Sequence, residues 1–239
     1  NGEIPYNNGG RTANGARVRF DRIDPAPFAI DIGTTENLVV NMNDGDDSFA
    51  ATGNLASLIS LTVDGGTGND RILGGNGVDL LIGGDGDDFI DGNQGNDIAL
   101  LGAGNDVFQW DPGDGRDIVE GQAGFDTELF NGSGANEVMA LRANGGRTIL
   151  TRDVGNIVMD TDDVEVVDFN ALGGADTVLV DDLTGTDVTQ TNLDLGGTDN
   201  APLVPPLSQL ERLGIHGDRH YLGELGSTGC VAIHLPADA

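Results

Sequence analysis

An all-β solenoid is predicted for this chain of 239 residues by three observations. Five nonapeptides of the form G-G-x-G-x-D-x-U-x run without a gap from Gly65 to Gln109: GGTGNDRIL, GGNGVDLLI, GGDGDDFID, GNQGNDIAL and LGAGNDVFQ. Their sixth place is always Asp (Asp70, Asp79, Asp88, Asp97, Asp106), and their eighth is always apolar (Ile72, Leu81, Ile90, Ala99, Phe108). The chain also repeats itself at a period of about 130 residues, with short Val-, Ile- and Thr-rich runs outside the nonapeptides.

Each nonapeptide divides into a Gly-rich turn of six residues and a strand of three. Glycine lets the backbone curl its carbonyls inward at little steric cost. The candidate turn residues are Gly65, Gly66, Gly68 and Asn69; Gly74, Gly75 and Gly77; Gly83, Gly84, Gly86 and Asp87; Gly95 and Asn96; and Gly104 and Asn105. Strand alternation points the eighth-place side chain into a narrow core and its neighbours outward. Two nonapeptides make one coil, so residues 18 apart stack at the inter-strand spacing of roughly 4.8 Å. Asp70 then lies over Asp88, Asp79 over Asp97, and Asp88 over Asp106.

Stacked carboxylates repel strongly at such a spacing unless a cation lies between the layers. Calcium suits the chemistry, because it accepts six to eight oxygens in forgiving geometry. Magnesium demands a tighter octahedron and keeps its waters. The absence of a Cys/His cluster in this stretch argues against zinc. Several Ca2+ ions are therefore expected in the turns, and the charge agrees. The chain has 40 acidic against 11 basic residues, a formal net charge of −29, and 32 of the acids are Asp. Tight turns favour the short carboxylate. Without metal, self-repulsion should hold the block open, so that binding energy becomes folding energy.

These repeats resemble the RTX, or haemolysin-type calcium-binding, nonapeptide family. The resemblance implies a right-handed parallel β-roll with calcium in the turns on both edges, type I secretion from a bacterium, and folding only outside the cell.

After Gln109 the register slips by two residues, Trp110 and Asp111, and PGDGRDIVE and GQAGFDTEL restore sixth-place aspartates at Asp117 and Asp126. Glu128 takes the apolar place. These read as decaying repeats near one end of the roll, with Trp110 packing at the slip as a partial lid.

Residues 1–55 are expected to be a β-rich spacer, 56–130 the roll, and 131–200 a second spacer homologous to 1–69. ANGARVRFDR (13–22) matches ANGGRTILTR (143–152), Glu36 aligns with Glu165, and NMNDGDDSF (41–49) with NALGGADTV (170–178), placing Asp47 on Asp176. Asp47, Asp176 and Asp85 are further candidate metal ligands. Strands are expected at 17–20, 38–41, 148–151, 164–169 and 177–180. Residues 201–239 break the pattern, with four of the eight prolines, all three histidines and the lone Cys230. A cap for the open end of the solenoid is the preferred reading, with SQLERLG (208–214) as a short helical turn. A secretion signal or a segment foreign to the module are the alternatives.

No catalytic constellation emerges. In HGDRH (216–220) Gly217 weakens the helix that an i, i+4 histidine pair would need, so a polar loop is expected rather than zinc. GSTGC (226–230) has the wrong spacing for a nucleophile elbow, and Cys230 with His234 lacks an orienting third group. Asp162–Asp163 and Asp181–Asp182 are adjacent on expected strands and should face opposite ways, a poor geometry for paired carboxylates. The G-x-G fragments lack a third glycine. Nucleic acid is excluded as a partner by charge, and no stretch is long and apolar enough to span a membrane. The expected function is a non-enzymatic, calcium-binding extracellular scaffold module, possible partners being cell-surface carbohydrate or other copies of the module. The alternatives are the calcium-binding appendage of a secreted protease, lipase or polysaccharide-modifying enzyme, or an adhesin module.

Overall fold

In the computed structural model the described residues are 2–4, 17–194 and 230–233, and all of their regular structure is β. Two ten-stranded sheets face one another. The nonapeptide block supplies strands to them alternately. β6 (Ser60–Thr67), β8 (Leu80–Asp85), β10 (Ile98–Gly104) and β12 (Ile118–Gly124) lie in one sheet; β5 (Ser48–Ala51), β7 (Arg71–Leu73), β9 (Phe89–Asp91), β11 (Val107–Trp110) and β13 (Thr127–Asn131) lie in the other. All of these pairings are parallel.

The coil length is that of two nonapeptides. Leu80 pairs with Ile98 and Phe89 with Val107, an offset of 18 in each case. Across the two inserted residues the offset grows to 20, with Ile98 on Ile118 and Val107 on Thr127. The ladder absorbs the insertion without losing the stack. Ile72, Ile90 and Phe108 are fully buried one above another in one sheet, and Leu81, Ala99 and Val119 in the other.

The roll does not end at the slip. Trp110 is fully buried, stacks on Phe130 with centroids 4.3 Å apart, and donates from Nε1 to the Gly115 carbonyl at 3.0 Å. It is a core residue rather than a lid, because further strands cover it. Glu128 is likewise buried in its eighth place, held by a hydrogen bond from Thr161 Oγ1 at 2.9 Å.

Those further strands are β14 (Val138–Asn144), β15 (Arg147–Arg152), β16 (Ile157–Asp162), β17 (Val166–Asn170), β18 (Thr177–Val180), β19 (Gln190–Asp194) and β20 (Cys230–Ile233). β14, β15 and β16 form an antiparallel meander. It folds back so that β16 joins β12 in parallel, while β14 carries β18 and then β20 onward. In the opposite sheet β17 stacks on β13, and β19 on β17.

The same meander recurs at the other end as β1 (Gly2–Ile4), β2 (Val18–Arg22) and β3 (Phe28–Ile32), followed by β4 (Asn37–Asn41). Val18 pairs with Ile32 in the first copy and Thr148 with Thr161 in the second, so the 130-residue repeat preserves strand register. β1 sits between β2 and β5 as β14 sits between β15 and β18. The two meanders lie in different sheets. One hydrophobic core runs from Val18 to Val188, so the segments flanking the nonapeptides extend the solenoid. The readings placed on 208–214, on His216 and His220, and on His234 fall outside the described residues, as does GSTGC apart from the backbone of Cys230.

Candidate calcium site

Each turn folds as it does because its glycines face the carbonyls of the coils above and below. Gly84 and Gly86 adopt φ of 116° and 133°, a region open to glycine alone at low cost. A side chain at Gly84 would collide with the Gly66 carbonyl. At Gly83 a Cβ would lie 2.5 Å from Asp88 Oδ2 and against the Leu101 carbonyl. Carboxylate and carbonyl oxygens thus converge at the first glycine of the turn.

The sixth-place aspartates form two continuous ladders. On one edge the backbone N–H of Asp47 donates to Asp70 Oδ1 at 2.7 Å, Asp70 to Asp88 at 2.7 Å, Asp88 to Asp106 at 2.7 Å, and Asp106 to Asp126 at 2.9 Å. On the other, Asp79 donates to Asp97 and Asp97 to Asp117, both at 2.8 Å. The expected stacking of Asp70 over Asp88 and of Asp79 over Asp97 is present, and the Oδ1 atoms of Asp70, Asp88, Asp97, Asp106, Asp117 and Asp126 build it.

The second oxygen is left over. Oδ2 of Asp70, Asp88, Asp97, Asp106, Asp117 and Asp126 is buried and accepts no hydrogen bond. Asp79 differs, since its Oδ2 accepts the Gly75 N–H at 2.7 Å. A buried carboxylate oxygen without a partner is costly when ionised. Burial accordingly pushes the carboxyl of Asp88 up to about 7, Asp97 to about 8, Asp126 to about 7 and Asp117 to about 6, against the hydrogen bond each accepts. Neighbouring carboxylates add to the effect, Asp106 and Asp70 on Asp88, Asp117 and Asp79 on Asp97. Burial also raises Asp70, Asp79 and Asp106. Hard, partly anionic oxygens with no proton donor in reach fit a divalent cation with oxygen preference, which is the chemistry of calcium.

The fifth-place residues have a different part. Asn69 Oδ1 accepts the Asp87 N–H at 3.0 Å, Asp87 Oδ1 the Asn105 N–H at 2.8 Å, and Asn105 Oδ1 the Phe125 N–H at 3.1 Å. Asn96 Oδ1 accepts from Arg116 N–H at 2.9 Å. This outer ladder runs opposite in sense to the inner one, so each turn is stapled to both neighbours. Asp85 is exposed on the surface.

Beyond the nonapeptides other residues take over the ladder. Asp126 N–H donates to Glu165 Oε2 at 2.7 Å, Asp117 N–H to Met159 Sδ at 3.4 Å, and Glu137 N–H to Asp176 Oδ1 at 2.9 Å. Asp176 is buried, whereas Asp47, with which it aligns, is half-buried and enters its ladder through its backbone N–H. Glu137 is buried with Arg152, which donates to it from Nε at 2.8 Å. The alignment of Glu36 with Glu165 was the one signal in the sequence for this substitution of Glu for Asp. Asp162 and Asp163 do not face apart. Their carboxylates gather with that of Asp187, because Asp163, with φ of 52°, lies past the end of β16.

Parallel coils, two aspartate ladders and unsatisfied buried oxygens define a calcium-binding β-roll. Four copies of the RTX calcium-binding nonapeptide repeat match within residues 62–89, 73–108 and 112–128. Residues 62–128 thus carry RTX-type calcium-binding repeats, and the matched segments are the ones that build the ladders. No curated protein matches it. Among the described residues no helix is long and apolar enough to cross a membrane.

Proposed function

We propose that this chain is a non-catalytic extracellular scaffold that calcium folds into a stiff spacer. The observation that carries the reading is the row of buried, unpartnered Oδ2 atoms. Calcium between successive turns would take Oδ2 of Asp70, Asp88, Asp106 and Asp126 on one edge, and of Asp97 and Asp117 on the other. Backbone carbonyls such as that of Leu101 beside Gly83 complete the donor set. When bound, the ion supplies the positive charge that the ladders lack.

Several features support a scaffold. The repeats are of a type common in secreted bacterial proteins, where calcium is available at the 10⁻⁴–10⁻³ M or so that extracellular modules require. The roll's aspartates are committed to the ladders rather than grouped around a cleft. The meander recurs in the same register at both ends, as a modular spacer would.

Small-angle X-ray scattering tests the reading. With calcium the chain should be compact, with a radius of gyration of roughly 20 Å, expanding toward roughly 50 Å in chelator. Magnesium should leave it expanded. A chain equally compact in chelator would sink the proposal.

A further inference from the structure

Among the described residues nothing covers the core at the end formed by β3 and β4. Phe28 is 44% exposed and Ile30 49%, whereas their counterparts in the second meander, Ile157 and Met159, are 8% and 0% exposed. Phe20, Phe28, Ile30 and Leu38 help to line a cavity of about 410 Å³ there, while the equivalents of Phe20 and Leu38, Leu150 and Val167, are fully buried. Among the described residues β3 and β4 are the outermost strands of their two sheets.

The second copy shows what covers such an end. Its β16 is paired by β12, with Val119 against Thr161, and its β17 by β13, with Phe130 against Phe169. Shifted by 129 residues, these contacts fall on Ile32 of β3 and Val40 of β4. Glu165 accepts the Asp126 N–H, and Glu36, exposed, stands at that place in the first copy.

We infer that the β3–β4 end is the docking site for a nonapeptide coil of the β12–β13 type, which pairs with β3 and β4 as β12 and β13 pair with β16 and β17. The occupant brings an aromatic residue in the place of Phe130 to fill the cavity, and a sixth-place Asp whose N–H meets Glu36. A second copy of this chain does not supply it, because its own β12 and β13 are already covered by β16 and β17. That calcium loads the incoming coil rests on the function proposed above; the docking itself rests on register and exposed apolar surface alone.

The test joins residues 62–137 directly ahead of Asn1 of the full chain, which reproduces the spacing between β13 and the second meander. Hydrogen exchange of the β3 and β4 amides is compared with that of the full chain, with and without calcium. Slowing of tenfold or more in the joined protein, lost again in its Ile30→Asp variant while the β14–β18 amides stay protected, is the result expected. The same slowing in chelator would keep the docking and remove calcium from it. Unchanged exchange in a joined protein whose added block shows protected amides of its own would overturn the inference. So would concentration-dependent protection in the full chain alone, which would assign the end to a second copy.

Discussion

Replacing Asp97 by Asn should shift stability in opposite directions with and without calcium. Asp97 is 1% exposed, its Oδ1 accepts the Asp79 N–H at 2.8 Å, and its Oδ2 has no partner. Asn keeps the Oδ1 acceptor and removes the charge. Burial holds the Asp97 carboxyl near 8 in the fold, against about 4 in an unfolded chain. A group raised in this way favours folding fully below about pH 4, and that contribution is lost as pH climbs from about 4 to about 8. At pH 8 the metal-free penalty from Asp97 is at most roughly 5 kcal/mol. Asp88, Asp117 and Asp126 are raised by burial as well, so the metal-free fold is penalised at several rungs of both ladders at once. The metal-free roll should therefore be open at neutral pH and form β-structure on acidification. In chelator, far-UV circular dichroism should show Asp97→Asn forming β-structure at a higher pH than the unaltered chain. In a calcium titration at pH 7.5 the same variant should need about tenfold more calcium, the equivalent of ~1.4 kcal/mol. A variant less folded than the unaltered chain in both media would refute the reasoning, because Asp97 would then act only as a structural hydrogen-bond acceptor.

Gly83→Ala places a Cβ against Asp88 Oδ2 and the Leu101 carbonyl, and should cost on the order of 1–3 kcal/mol in calcium by thermal denaturation. Gly146→Ala meets open space and should change stability by less than about 0.5 kcal/mol. Glu128→Leu restores an apolar eighth place where burial pushes the carboxyl to about 7. The unaltered chain loses that stability as pH rises from about 4.5 to about 7, so the variant should gain in melting temperature, more at pH 8 than at pH 5.

The roll was legible in the sequence because its geometry is written in period. Asp at every sixth place and apolar residues at every eighth force an 18-residue coil, and the two extra residues at Trp110 and Asp111 reappear as the 20-residue offset. The end of the roll was not legible. Decay of the Gly/Asp motif after Gln109 suggests a terminus, yet the stack needs only a donor and an acceptor at each rung, and Glu165, Met159 and Glu137 supply them. Trp110 is buried for that reason. The strands expected at 17–20, 38–41, 148–151, 164–169 and 177–180 lie within a residue or two of β2, β4, β15, β17 and β18. The hairpin of β14 and β15 has a local turn signal in Asn144-Gly145-Gly146, but which neighbour β16 joins is decided by the open edge of β12. The fifth-place Asn and Asp residues were expected among the metal-binding turns, and the structure adds a part for their Oδ1 atoms that the period does not reveal, which is to hold the amides of the next coil.

Calcium titration of the full chain by far-UV circular dichroism, with magnesium as control, tests the central claim most directly. A cooperative gain of β-structure is expected between about 0.1 and 10 mM calcium at pH 7.5, with no response to magnesium. Complete β-structure in chelator at that pH would contradict it. The ladders would then stand without a cation, and the roll's foundation would be its apolar core.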